Sequence, residues 1–153
     1  MILWTKAFRR SLISALYVDI FADSVEGLPK EPNWAVIVSE FSTDQETLRQ
    51  VEVIEMFEYY QAHRIEFLDL VKKYMNSWNK TYDLIKACLV ALVIEIKYLQ
   101  RTDRAVPANL VGKYIRLAQD FAGGDNPGLV HAVGSKIMLE LVPGEKNQTT
   151  PTI

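Results

Sequence analysis

Few residues in this chain are of a type that does chemistry. It holds two histidines and one cysteine. His63 and His131 have no metal-ligand neighbour at useful helical spacing, and a lone Cys88 cannot build a structural zinc site. No glycine-rich phosphate loop is present, because Gly123-Gly124 reads as a helix stop. Paired acids such as Glu55 and Glu58 belong to solvated helix faces. Glu95 stands apart, since it follows an apolar run. One reading is a buried acid tuned for proton transfer. The better reading is a carboxylate held by a basic residue or by backbone donors, because no partner acid, base or pocket motif accompanies it. No catalytic residue, cofactor or metal is expected.

The positive charges are more suggestive. Lys6, Arg9 and Arg10 cluster near the start, and Lys72, Lys73, Lys80 and Lys86 cluster later. Each alone reads as the solvated end of a helix. Taken together with Trp4, an aromatic expected at the surface, they suggest a single-stranded RNA face, on which cations hold phosphates and rings stack bases. A net charge of −2 over 153 residues argues against coating nucleic acid by bulk charge. A local basic face remains compatible with it.

These side chains must be positioned by helices. Leu12, Ile13, Leu16, Tyr17, Ile20 and Phe21 form one helical face between Arg9 and Ala22, ended by EGLPKEP. WAVIV (34–38) is open to strand or short helix, with the helix more economical. STDQE (42–46) has capping-box spacing. A long helical pattern follows, with a break near His63 and an end at Trp78. Asp83 or Thr81 is expected to cap a helix running to about Gln100, and RTDRAVP is a loop. Asn109 caps a helix with the face Leu110, Val111, Tyr114, Ile115, Ala118 and Phe121, stopped by Gly123-Gly124. Asp125 or Asn126 caps a last helix with Pro127 in its first turn. Its stripe is Leu129, Val130, Val133, Ile137, Met138 and Leu141. Pro143-Gly144 stops it before a polar tail.

The segment KACLVALVIEI (86–96) decides the class. Its eight consecutive apolar residues, Ala87 through Ile94, fall well short of the about 20 that a membrane span needs. A helix apolar nearly all round belongs at the centre of other helices. The expectation is an all-α bundle of about six or seven helices. At 49% hydrophobic and 24% charged, the composition is that of an ordinary globular chain. The lone cysteine and the poor fit of the first residues to a signal peptide point to a cytoplasmic setting.

Over nearly its full length the chain resembles the transcription antitermination factor NusB family. The likeness begins at RRSLISALYVDIF, with Ala15, Leu16 and Tyr17, and continues at Trp78. It is best at KACLVALVIEI, through Lys86, Ala87, Leu89 and Glu95. It extends through RTDRAVP and YIRLAQDFAGGD, at Leu117, Ala118, Phe121 and Asp125. The order and spacing of the pieces carry the likeness, since each alone is unspecific. The chain departs from the family pattern at Val90, at Gly112-Lys113, at LVHAVG (129–134) and in its thin N-terminal basic run.

The resemblance implies a single helical domain over 1–143, in two packed subdomains of about 1–78 and 79–143, with a tail at 144–153. It implies no enzymatic activity. It implies binding of boxA-type single-stranded RNA of ribosomal RNA leader transcripts in bacteria, together with ribosomal protein NusE, within the RNA polymerase antitermination complex. Lys6, Arg9 and Arg10, with Lys86, would then face RNA. Phe121, Asp125 and Leu129 would lie on the ribosomal-protein side. Family members occur as monomers or as homodimers. The same fold also serves as an N-terminal accessory domain of some ribosomal-RNA cytosine methyltransferases. That reading is the weaker expectation, since 153 residues leave no room for a catalytic domain and no glycine-rich cofactor motif follows. A helical interaction module without RNA is a third reading, which the thin basic run keeps open.

Overall fold

The computed structural model describes residues 2–24, 50–122 and 127–143. Among these residues the chain is all-helical, with six α-helices and no strand. They are α1 (Lys6–Ser24), α2 (Gln50–Ala62), α3 (Arg64–Lys73), α4 (Asp83–Arg101), α5 (Leu110–Ala122) and α6 (Pro127–Leu141), with a 3-10 turn at Trp78–Lys80. The segments WAVIV and STDQE, the Gly123-Gly124 stop, the Asp125 or Asn126 cap and the tail at 144–153 lie outside the described residues.

The apolar run forms the axis of the bundle. Every residue of α4 from Ile85 to Ile96 is buried, the charged Lys86 and Glu95 included. Helices α1, α3, α5 and α6 all pack against it, and α2 covers α1. A helix without a polar face needs walls on every side, and the amphipathic helices supply them. From α1 come Phe8, Leu12, Ile13, Leu16 and Ile20; from α5, Leu110, Tyr114, Leu117 and Ala118; from α6, Val130, Val133, Ile137 and Met138. With residues of α2 and α3 they make one hydrophobic cluster. At Gly134 of α6 an added Cβ would lie 3.2 Å from Val111 and 3.3 Å from Leu92, so the missing side chain sets how closely α6 approaches α4 and α5.

Local chemistry explains some of the helix ends. The Phe8 amide donates to Thr5 Oγ1 at 3.0 Å, an N-cap for α1. The chain breaks at His63, between α2 and α3, where the sequence pattern changes face. Neither Asp83 nor Thr81 caps α4. Tyr82 occupies the cap position and makes no side-chain capping bond. Asp83 stands one residue further on, in the first turn. There its charge meets the positive helix end and pairs with Lys86 at 3.2 Å. At the other end of α4, Asp103 takes a left-handed φ of 62°. The Asp103 amide donates to the Gln100 carbonyl and the Arg104 amide to the Leu99 carbonyl, the paired bonds of a Schellman stop. A buried polar link ties α1 to the next two helices: Asp19 accepts from Tyr60 at 2.7 Å and from Arg64 at 3.2 Å. No helix among the described residues is long and apolar enough to cross a membrane.

Candidate nucleic-acid interface

The first five residues of α1 hold Lys6, Arg9 and Arg10, and its first turn holds no acid. A helix N-terminus is the positive end of the macrodipole, so each cation placed there is opposed by about 0.3–1 kcal/mol. The three solve this differently. Lys6 points to solvent and pairs with Asp120 of α5 at 3.2 Å. Arg10 is half-exposed, lies 3.8 Å from the same carboxylate and sits 5.2 Å over the Phe121 ring. One acid thus answers two cations.

Arg9 turns inward. It is 6% exposed, and its Nε and Nη2 each donate to Glu95 at 2.8 Å. Tyr114 of α5 donates its hydroxyl to the same carboxylate at 2.7 Å. Burial works against the charge on Arg9, but the hydrogen bonds and attraction of Glu95 outweigh it and raise its pKa. Burial, with Glu95 beside it, also holds the Tyr114 phenol well above its ordinary pKa. Glu95 is therefore the carboxylate held by a basic residue. Of the residues expected to face RNA, Arg9 thus has two donors committed inside the fold, and it also lines a groove.

That groove has a volume of about 330 Å³ and lies between the start of α1 and the outer face of α5. Trp4, Thr5, Lys6, Arg9, Lys113, Arg116 and Leu117 line it. Lys113 and Arg116 are exposed, three residues apart on one face of α5, and neither has an ion-pair partner among the described residues. Trp4 is half-buried rather than exposed. It packs edge-on against Phe8 at 5.1 Å and tilted against Tyr98 at 6.2 Å. Its Nε1 is buried and has no hydrogen-bond partner among the described residues. Sequence reasoning missed Lys113 and Arg116 as a pair. The available signal was their shared helical face opposite the apolar stripe of α5.

Lys86 does not join this groove. It is 6% exposed, bonded to Asp83 and 4.7 Å over the Trp78 ring, which Lys72 approaches at 5.2 Å. Along α4 it stands nine residues before Glu95, about 13 Å away along the axis. Its amine is thus engaged inside the fold by Asp83 and Trp78. Lys73 is likewise engaged, with Glu140 of α6 at 2.8 Å.

Of the residues expected on the protein-partner side, Phe121 is half-buried beneath Arg10 and Leu129 is half-buried against the core. Asp125 lies outside the described residues. Phe121 also lines a separate aromatic groove of about 610 Å³, with Ser14, Tyr17, Phe21, Tyr82, Asp83 and Leu84. Tyr17 and Phe21 stack there at 6.0 Å, and Tyr82 is 67% exposed, so the wall is mostly aromatic.

Among the described residues no group of three or more metal-ligating side chains comes together. Cys88 is buried in α4, and desolvation pushes its thiol up to about 12. No family model, no curated protein and no solved structure matches the chain.

Proposed function

We propose that this protein is an RNA-binding transcription antitermination factor of the NusB type, a non-enzymatic adaptor of the bacterial cytoplasm. In this reading it takes boxA-type single-stranded RNA of ribosomal RNA leader transcripts together with ribosomal protein NusE, within the antitermination complex of RNA polymerase. One observation carries the reading. Lys6, Lys113 and Arg116 converge on a groove lined also by Trp4 and Arg9, with no acid among its lining residues. Lys6 and Arg9 in the first turn of α1 oppose the helix dipole, and a phosphodiester in the groove would relieve that repulsion. The aromatic groove around Tyr17, Phe21 and Phe121 is suited to a protein partner, because its flat rings bury area at little entropic cost.

The test is binding of boxA-like and scrambled RNA, with and without NusE, across a salt series. The pair should bind boxA more tightly than this protein alone. The logarithm of affinity should fall with the logarithm of salt by about 0.7 per phosphate neutralised. Lys113→Gln with Arg116→Gln should flatten that slope and leave folding intact, as both are exposed. Asp125→Asn should weaken the NusE contact first. No preference for boxA over scrambled RNA by the pair would sink the proposal. RNA binding that is indifferent to NusE would favour the accessory-domain reading.

A further inference from the structure

A second groove lies where the bend between α2 and α3 meets the end of α4. Its volume is about 590 Å³, and Tyr59, His63, Lys97 and Arg101 are among its lining residues. The Arg101 guanidinium lies 5.2 Å over the Tyr59 ring, and His63 stacks on Phe67 at 5.4 Å with the planes 16° apart. This is the pairing of flat rings with cations that holds unstacked bases and their phosphates. Half-buried rings in contact run between this groove and the first one: Trp4 meets Tyr98 at 6.2 Å, Tyr98 meets Tyr59 at 6.0 Å, and Tyr59 meets His63 at 5.0 Å.

From this run of rings between two cationic grooves we infer that a single-stranded RNA seated on Trp4, Lys6, Lys113 and Arg116 continues over Tyr98 into the groove of Tyr59 and Arg101, where a base stacks on the Arg101 guanidinium. The inference rests on the RNA reading above and extends its footprint to a face that none of the expected RNA residues occupies. An acidic peptide is the competing ligand for the cations alone. The rings favour RNA, because a carboxylate chain gains nothing from Tyr59 or His63. Glu66 opposes either ligand. It stands on the rim, 55% exposed, and holds Lys97 at 3.5 Å. The second groove is therefore weaker than the first, and a strand must already be held to enter it.

The experiment compares boxA-like RNAs of about 6 and about 12 nucleotides, which span the usual site sizes of stacking grooves. Binding is measured by fluorescence anisotropy on the wild-type protein, Arg101→Gln and Glu66→Gln. Both substituted side chains are exposed, so the fold is retained. The longer RNA should bind the wild type about tenfold more tightly, the gain of roughly one stacked base. Arg101→Gln should erase most of that gain and leave the short RNA unchanged. Glu66→Gln should release Lys97 and strengthen the long RNA alone. If both lengths bind alike, or if neither substitution moves the long RNA, the inference falls while the RNA reading stands. If neither length binds, both fall. Displacement of only the length-dependent part by polyglutamate would assign the second groove to acidic peptides and overturn the inference.

Discussion

The buried Arg9–Glu95 pair offers the sharpest test, because an RNA contact and a structural ion pair respond oppositely to mutation. In Arg9→Met the side-chain volume is roughly kept, and Glu95, 1% exposed, loses two of its three donors. Removing one partner of a buried pair costs about 3–5 kcal/mol. That is a large part of the about 5–15 kcal/mol that stabilises a domain. Glu95→Leu should cost about as much, since it strands the guanidinium. The double variant Arg9→Met/Glu95→Leu should be much milder than the sum, because replacing a whole buried pair by apolar groups is often neutral or stabilising. It still leaves the Tyr114 hydroxyl with only the Ala91 carbonyl at 3.4 Å, and an unsatisfied buried hydroxyl costs about 1–3 kcal/mol. Adding Tyr114→Phe should recover that part. The assay is urea unfolding followed by far-UV circular dichroism, with equal m-values required before stabilities are compared. High salt should leave the coupling unchanged, since buried charges are poorly screened. A cost below about 1 kcal/mol for Arg9→Met, or single costs that simply add in the double variant, would refute the buried pair.

Three further outcomes follow from the same packing. Burial raises the Tyr60 and Tyr114 phenols, each beside a carboxylate. Their contribution is complete below the ordinary tyrosine pKa near 10 and is lost above it, because the unfolded chain then ionises first. Stability should therefore fall above about pH 10, by up to about 1.4 kcal/mol per pH unit for each phenol; ultraviolet titration showing all seven tyrosines ionising together before unfolding would contradict this. Cys88, buried and raised to about 12, should resist a thiol reagent in the native state and react at the rate at which the protein opens. Prompt stoichiometric labelling would mean that α4 is not at the centre. Asp103→Gly should raise stability by about 1 kcal/mol, because the left-handed φ of 62° costs a residue with a Cβ roughly that much; thermal unfolding at an unchanged or lower temperature would reject the strain.

The sequence makes the core legible. Eight apolar residues in a row, too few for a membrane and flanked by amphipathic stripes, place α4 at the centre, and Ala87 through Ile94 are all buried. The break at His63 and the start of α6 at Pro127 are equally readable, because proline and a change of apolar face are local signals. The cation placement was not readable from charge alone. Arg9 and Arg10 are neighbours in sequence, but a helix turns about 100° per residue, so one enters the core and the other stays on the rim. Lys86 reads as the charged edge of an apolar run. Its stem lies along Trp78 and its amine finds Asp83, so burial costs little. Lys113 and Arg116 lie on the polar face of an amphipathic helix, and only packing α1 against α5 brings them to Lys6. The cap of α4 is legible only in part: Asp83 supplies charge to the right turn but stands one position too late to cap it.

The Arg9–Glu95–Tyr114 cluster explains why the groove exists at all. It joins three helices through one carboxylate, and each bond is directional. Apolar contacts along α1 and α4 would tolerate small slips and rotations, because one aliphatic side chain can replace another at modest cost. A slip of one residue in α1 would rotate its face by about 100° and carry Lys6 away from Lys113 and Arg116. The fork on Glu95 allows one register only, and Tyr114 fixes α5 to the same point. A buried ion pair adds little net stability, and its best-attested use is to set registry. The triple variant Arg9→Met/Glu95→Leu/Tyr114→Phe separates the two roles, since it should fold with near-native stability. If the cluster acts only as one more cation, its removal should flatten the salt dependence of RNA binding by about 0.7, the share of a single phosphate contact. If it sets the register of α1, the loss should exceed that share, because Lys6, Lys113 and Arg116 no longer converge.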